Sequence, residues 1–237
     1  FEIEDKIAYD NPLFIKFLDD DTPIIAYNVA SRFTTNPTEG FYVKSLNSSL
    51  QPDGNISIHK EQMFIVDILV NNEGTLSMLV GQVENNRVIE DSPNVLYFVK
   101  MDLQGNITVK EPLIGQDGMD AGKYWYGSSQ QAKLKWDGTK YAVFSIIDKN
   151  WAETPGENDD HTGDLFMFID ENGITDQNSI DLWRSSHSAL PKLDVTSTGE
   201  TIAMTVGDAY PFGVQFRNYT TKNYKVVWPP DSMSMTY

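Results

Sequence analysis

Four times along the chain two short apolar runs are joined by a tight turn, and these turns, at Asp21, Gly74, Gly138 and Gly199, fall 53, 64 and 61 residues apart. The clearest copy runs from Ala132-Lys133-Leu134-Lys135-Trp136 through Asp137-Gly138 into Tyr141-Ala142-Val143-Phe144-Ser145-Ile146-Ile147. Asp-Gly between such runs predicts a type I′ hairpin, because both central residues of that turn need φ > 0. After Pro191 the unit returns as Lys192-Leu193-Asp194-Val195, a turn at Ser197-Thr198-Gly199, and Thr201-Ile202-Ala203-Met204-Thr205-Val206. Two earlier copies join Phe14–Leu18 to Ile24–Tyr27 and Phe64–Val70 to Leu76–Val80. Helical periodicity is nearly absent: no capped window longer than about ten residues repeats apolar positions at i, i+3, i+4 and i+7.

Each hairpin is followed by a second one: Phe41–Lys44 with Asn55–Ile58, Leu96–Lys100 with Asn106–Val109, Leu165–Ile169 with Ile180–Trp183, and Gly213–Phe216 with Tyr224–Trp228. Asp53-Gly54, Gln104-Gly105 and Asn172-Gly173 mark the first three of these turns, where φ > 0 is needed. Four strands per unit at this period predict an all-β fold, a β-propeller of four-stranded antiparallel blades. Its blade units are roughly 12–61, 62–112, 130–184 and 190–229 in a single domain spanning 1–237. A two-sheet sandwich is the competing architecture, and the long-short alternation of loops at the blade period favours the propeller.

The run Leu96-Tyr97-Phe98-Val99-Lys100-Met101-Asp102-Leu103-Gln104-Gly105-Asn106-Ile107 resembles the outer strand pair of bacterial-type β-propeller repeat proteins, which read apolar, Lys, apolar, Asp, two residues, Gly, Asn, apolar. The resemblance covers all four units, is generic to the architecture, and implies a fold with no activity attached. The signatures of quinoprotein, WD40, sialidase and integrin-like calcium-loop blades do not occur in the sequence.

Composition narrows the function classes. With 34 acidic and 18 basic residues the net charge is −16, which opposes binding to nucleic-acid backbones or anionic lipid. The 11 Tyr, 12 Phe and 5 Trp are too many for a disordered polyanion. With no Cys there is no disulfide framework, thiol nucleophile or thiolate metal site, and an all-imidazole zinc site would use all 3 His. No apolar run approaches the roughly 20 residues of a membrane span, so no membrane insertion is expected. Phe1-Glu2-Ile3-Glu4-Asp5 lacks the basic and apolar regions of a signal peptide, so the chain reads as mature or trimmed.

In a propeller the loops between strands two and three and the crossings between blades emerge on one face. The longest such loop runs from Asp148 to Asp164, its counterpart in the next blade is Gly207–Gly213, and the crossing between them carries Ser185-Ser186-His187-Ser188. His161, Asp164, His187 and Asp208 are therefore expected on one rim. Asp159, Asp160, Asp164 and Asp208 would supply oxygen ligands for Ca²⁺, or His161 and His187 would join an acid around a transition metal. The plainer reading, given more weight, is that the acids tie down turns and the histidines bond between blades. A Ser-His-Asp hydrolase from Ser186 or Ser188, His187 and Asp208 is disfavoured, because adjacent Ser and His rarely reach that geometry and no Gly-x-Ser-x-Gly elbow exists.

Aromatics among the acids point to sugar rings, whose C–H faces stack on aromatic faces. Trp151 and Tyr210, with Ser186 and His187, are the expected ligand-binding residues, whereas Tyr124-Trp125-Tyr126 reads as packing between blades. Asn47, Asn55, Asn106 and Asn218 begin Asn-x-Ser/Thr sequons that do not establish secretion. The expectation is a non-enzymatic extracellular or cell-surface binding or adhesion module. It recognises carbohydrate or protein through one rim, with Ca²⁺ as the candidate ion and Asp160, His161, Asp164 and Asp208 as its candidate ligands. The alternatives are a metal-assisted hydrolase or lyase on the same rim and a structural segment of a larger assembly.

Overall fold

The turn chemistry read from the sequence organises sixteen strands among the described residues. The computed structural model describes residues 13–29, 40–72, 74–83, 94–113, 132–150, 160–184, 189–207 and 213–227. Blade 1 consists of β1 (Leu13–Phe17), β2 (Pro23–Val29), β3 (Gly40–Leu46) and β4 (Pro52–Glu61). Blade 2 consists of β5 (Met63–Val70), β6 (Leu76–Val83), β7 (Asn94–Met101) and β8 (Ile107–Pro112). Blade 3 has β9 (Ala132–Trp136), β10 (Tyr141–Asn150), β11 (Asp160–Ile169) and β12 (Asp181–Arg184). Blade 4 has β13 (Ala189–Val195), β14 (Thr201–Gly207), β15 (Gly213–Asn218) and β16 (Asn223–Val227). Each blade is a four-stranded antiparallel sheet in simple chain order, so the fold is an all-β propeller of four-stranded blades.

A recurring turn closes these hairpins. In blade 2 the Asn71 N–H donates to the Thr75 carbonyl at 2.8 Å, and the Gly74 N–H donates back to Asn71 at 3.0 Å. Gly74 takes φ +66°. This is a three-residue loop ending in the left-handed region, and the same bond pair recurs at Leu18–Thr22, Asn47–Gln51, Asp102–Asn106, Asp170–Ile174 and Thr196–Glu200. The Asp in the repeat motif has a mechanical role: Asp102 Oδ1 accepts the N–H groups of Gln104 at 2.9 Å and Asn106 at 2.7 Å. These bonds hold its carboxyl below the usual carboxylate range, the Asn106 side chain contributing most.

Two turn expectations are corrected. At Asp137-Gly138 only Gly138 has φ > 0, at +102°. The loop spans four residues because Asp137 Oδ1 accepts from the N–H groups of Thr139 and Lys140, a local bond that replaces the type I′ turn. In blade 1 the second turn falls at Asn47–Gln51, with Leu50 at φ +58°, and Asp53-Gly54 lies within β4 opposite a register shift in β3. Asn47 outcompetes Asp53 there because its Oδ1 accepts from both Ser49 and Gln51 N–H.

Every strand alternates side chains between two faces, and successive blades bury them against each other. Ile24, Ala26, Val43 and Ile58 of blade 1 pack on Ile65, Ile68, Met78 and Val99 of blade 2. Phe64, Leu79, Leu96 and Phe98 on the far side of blade 2 pack on Leu134, Val143, Leu165 and Met167 of blade 3. Ala142, Phe144, Phe166 and Phe168 then meet Leu193, Ala203 and Tyr219 of blade 4. Among the described residues no apolar cluster joins blade 4 to blade 1; Leu13, Ile15 and Phe17 on one end face and Phe216 on the other are exposed. For each blade, the face turned toward the following blade is called its forward face.

Gly173 tests the turn argument. It sits at φ +82°, and a Cβ there would lie 2.9 Å from Phe98 Cδ1 in the neighbouring blade. Gly173→Ala is expected to lower stability by about 1–2 kcal/mol from the left-handed backbone alone. Urea unfolding should show a lower midpoint at unchanged slope. A wild-type midpoint would mean that the loop relaxes at no cost.

Candidate functional site at the seam of blades 3 and 4

The alternation of β15 runs against the usual rule. Val214-Gln215-Phe216-Arg217 would normally turn its apolar residues inward. Instead Gln215 and Arg217 are 1% and 5% exposed, and Phe216 is 37% exposed. The reason lies across the seam, where the forward face of blade 3 presents Asp164 from β11. Asp164 is opposite Ile146 and Trp183 in its own sheet and is fully buried.

Asp164 Oδ2 accepts from Arg217 Nη2 at 3.2 Å and from Thr205 Oγ1 at 3.1 Å. Arg217 also donates through Nη2 to Gln215 Oε1 at 3.1 Å and through Nη1 to Tyr219 Oη at 3.4 Å. Burial pushes the Tyr219 phenol above its ordinary range, against the downward pull of the Arg217 charge. The guanidinium carbon stands 4.2 Å from the centre of the Trp183 ring, within cation–π distance. Arg217 Nε is buried and has no hydrogen-bond partner among the described residues. Trp183 in turn meets Tyr224 of β16, their ring centres 5.0 Å apart at 43°. Trp183 is half-buried and Tyr224 is 49% exposed.

The arrangement is a stack at the outer end of the seam. A buried carboxylate fixes a guanidinium, the guanidinium backs an indole, and the indole meets a partly exposed phenol. Such a surface suits a flat apolar ligand face bordered by hydroxyls.

Of the residues expected on the rim, Asp164 is placed in this network. Asp160 and His161 open β11 with backbone paired to Asn150 and Lys149, at the same end of blade 3. Trp151, Asp159, Ser186, His187, Asp208 and Tyr210 lie outside the described residues. Among the described residues no three His, Asp or Glu side chains come together as a metal-binding group. Sequence reasoning missed Arg217, Gln215, Trp183 and Tyr224. The available signal was the Gln-x-Arg spacing on β15, which puts two long polar side chains on one face of a strand.

No protein-family model and no curated protein matches the chain. Among solved structures, an endo-arabinase from Bacteroides thetaiotaomicron is similar, with a TM-score of 0.46 and 9% identity over 92% of this chain and 75% of that one. The blade assignment rests on the four sheets themselves.

Proposed function

We propose that this protein is a non-catalytic binding module that recognises carbohydrate, free or carried on a protein surface, through Trp183 and Tyr224 at the seam of blades 3 and 4. The observation that supports this reading is the aromatic pair held by Arg217, which Asp164 and Gln215 fix in turn. A platform locked before binding loses little conformational freedom when a ligand arrives. Arg217 adds a reason: a buried ion pair is by itself a poor device for stability.

Calorimetric titration with a panel of neutral and acidic oligosaccharides tests the proposal. Saturable binding is expected to at least one, with Trp183→Ala and Tyr224→Ala each weakening it about threefold to tenfold, the range of a lost aromatic contact. Unchanged affinity in both variants would place recognition elsewhere. Shortened products after prolonged incubation would overturn the non-catalytic reading in favour of a hydrolase or lyase.

A further inference from the structure

Each seam within the molecule is made in the same way: the inner strand of one blade sets apolar side chains against the second and third strands of the blade before it. Ile65 and Ile68 of β5 cluster with Ile24 and Ala26 of β2 and Val43 of β3. Leu134 of β9 clusters with Leu79 of β6 and with Leu96 and Phe98 of β7. Leu193 of β13 clusters with Ala142 and Phe144 of β10 and with Phe166 and Phe168 of β11. The inner strands follow suit. β1 meets β5, β5 meets β9 and β9 meets β13, and among the described residues no comparable contact joins β13 back to β1.

The two halves of one more such seam are left at the ends of the series. At the first end Phe14 turns into the cluster between blades 1 and 2, so Leu13, Ile15 and Phe17 face the other way. They are 52%, 60% and 61% exposed, whereas Ile25 and Tyr27 beside them on β2 are buried, so the exposed apolar surface here is the β1 row. At the other end Ala203 turns toward blade 3, so Ile202 and Met204 face outward, and Met204 is paired with Phe216 across the sheet. Ile202, Met204 and Phe216 line an open groove of about 280 Å³. Apolar surface gathered in this way, rather than scattered singly, marks a contact site.

We propose that the groove on blade 4 receives the β1 row of a second copy of this chain, head to tail, in a seam built like the three within the molecule. Continuity with those seams favours a second copy. Ile15 holds in β1 the mid-strand place that Leu134 holds in β9 and Leu193 in β13, each paired with its own second strand. Met204 and Phe216 supply the second-strand and third-strand surface that Leu79 with Phe98, and Phe144 with Phe166, supply to those residues. One molecule therefore carries both halves. Such a contact is heterologous, so assembly runs past the dimer unless its rotation closes a ring. The net charge of −16 on each copy opposes association, which should strengthen as salt screens that repulsion. Trp183 and Tyr224 take no part, so the carbohydrate reading and this one can fail separately.

Sedimentation velocity at loading concentrations from roughly 1 µM to 1 mM, the range suited to a contact one blade wide, tests this. The sedimentation coefficient should rise with concentration, and more steeply in added sodium chloride. Ile15→Glu and Phe216→Glu should each hold the protein monomeric across the range. Their equimolar mixture should give a dimer that grows no further, because one variant brings the intact groove and the other the intact row. Ile15 is 60% exposed, so Ile15→Glu should keep the wild-type melting temperature, and it decides the matter if Phe216→Glu lowers it. Ile174→Glu, in an exposed turn of blade 3, should associate as the wild type does. A wild-type monomer at every concentration would overturn the proposal, and would mean that the end faces are met within one chain or by a different partner. Association that persists in Ile15→Glu would overturn it in favour of two blade 4 faces meeting, and a mixture of two folded variants that stays monomeric would overturn the head-to-tail seam.

Discussion

Arg217→Met is expected to lower the unfolding free energy by about 3–5 kcal/mol, because it leaves the Asp164 charge buried without its cation. Arg217 is 5% exposed and Asp164 fully buried, so solvent screens little of the loss. The effect should survive added salt, unlike that of the exposed Lys135–Asp194 pair. The matching double variant, Asp164→Leu with Arg217→Met, should recover most of the stability, since an apolar pair of similar volume avoids desolvating both ions. Denaturant unfolding of both singles and the double closes the thermodynamic cycle. Additive losses would show that the two residues act independently and that the seam is held by packing alone. The recovered double variant would also separate stability from binding: it should fold yet present Trp183 without the cation that backs it.

Phe166→Ala should destabilise by a similar amount, about 3–5 kcal/mol, through the cavity it opens. Phe166 is fully buried, stacks on Tyr219 with ring centres 3.5 Å apart, and meets Phe168 edge-on at 4.9 Å. For a chain of this length each kcal/mol moves the melting temperature by roughly 2–4 °C, so a fall of roughly 10 °C is expected in a thermal scan. Phe216→Ala is the control. Its ring lies on the forward face of blade 4, partly exposed, and its removal should cost well under half as much. Equal losses at the two positions would mean that the forward face of blade 4 is as well packed as the seam.

The blades were legible because their signals are local. Glycine at φ > 0, a carboxylate or amide that accepts nearby N–H groups, and runs of β-branched and aromatic residues all act within a few residues of chain. Hence Gly74, Gly105, Gly173 and Gly199 mark turns where expected. The misplacement of the blade 1 turn at Asp53-Gly54 has the same origin. Asn47 and Asp53 are both good turn formers six residues apart, and only the register of β3 against β4 decides between them. The seam site was not legible, since its parts come from β11, β12, β14, β15 and β16, and the polar face of β15 imitates a solvated one. Asp164 was singled out as an acid near a loop; its partner Arg217 lies 53 residues on and was not.

By itself, the sequence determined the secondary structure, the four-stranded unit and its repetition, because backbone conformation at turns and the two-residue alternation of strands are properties of short segments. Only the tertiary structure decided which face of each strand is covered. That choice depends on what the neighbouring blade presents: Asp164 makes burial of Arg217 tolerable. Charge buried against a partner is a relation between distant residues, and no local pattern encodes it.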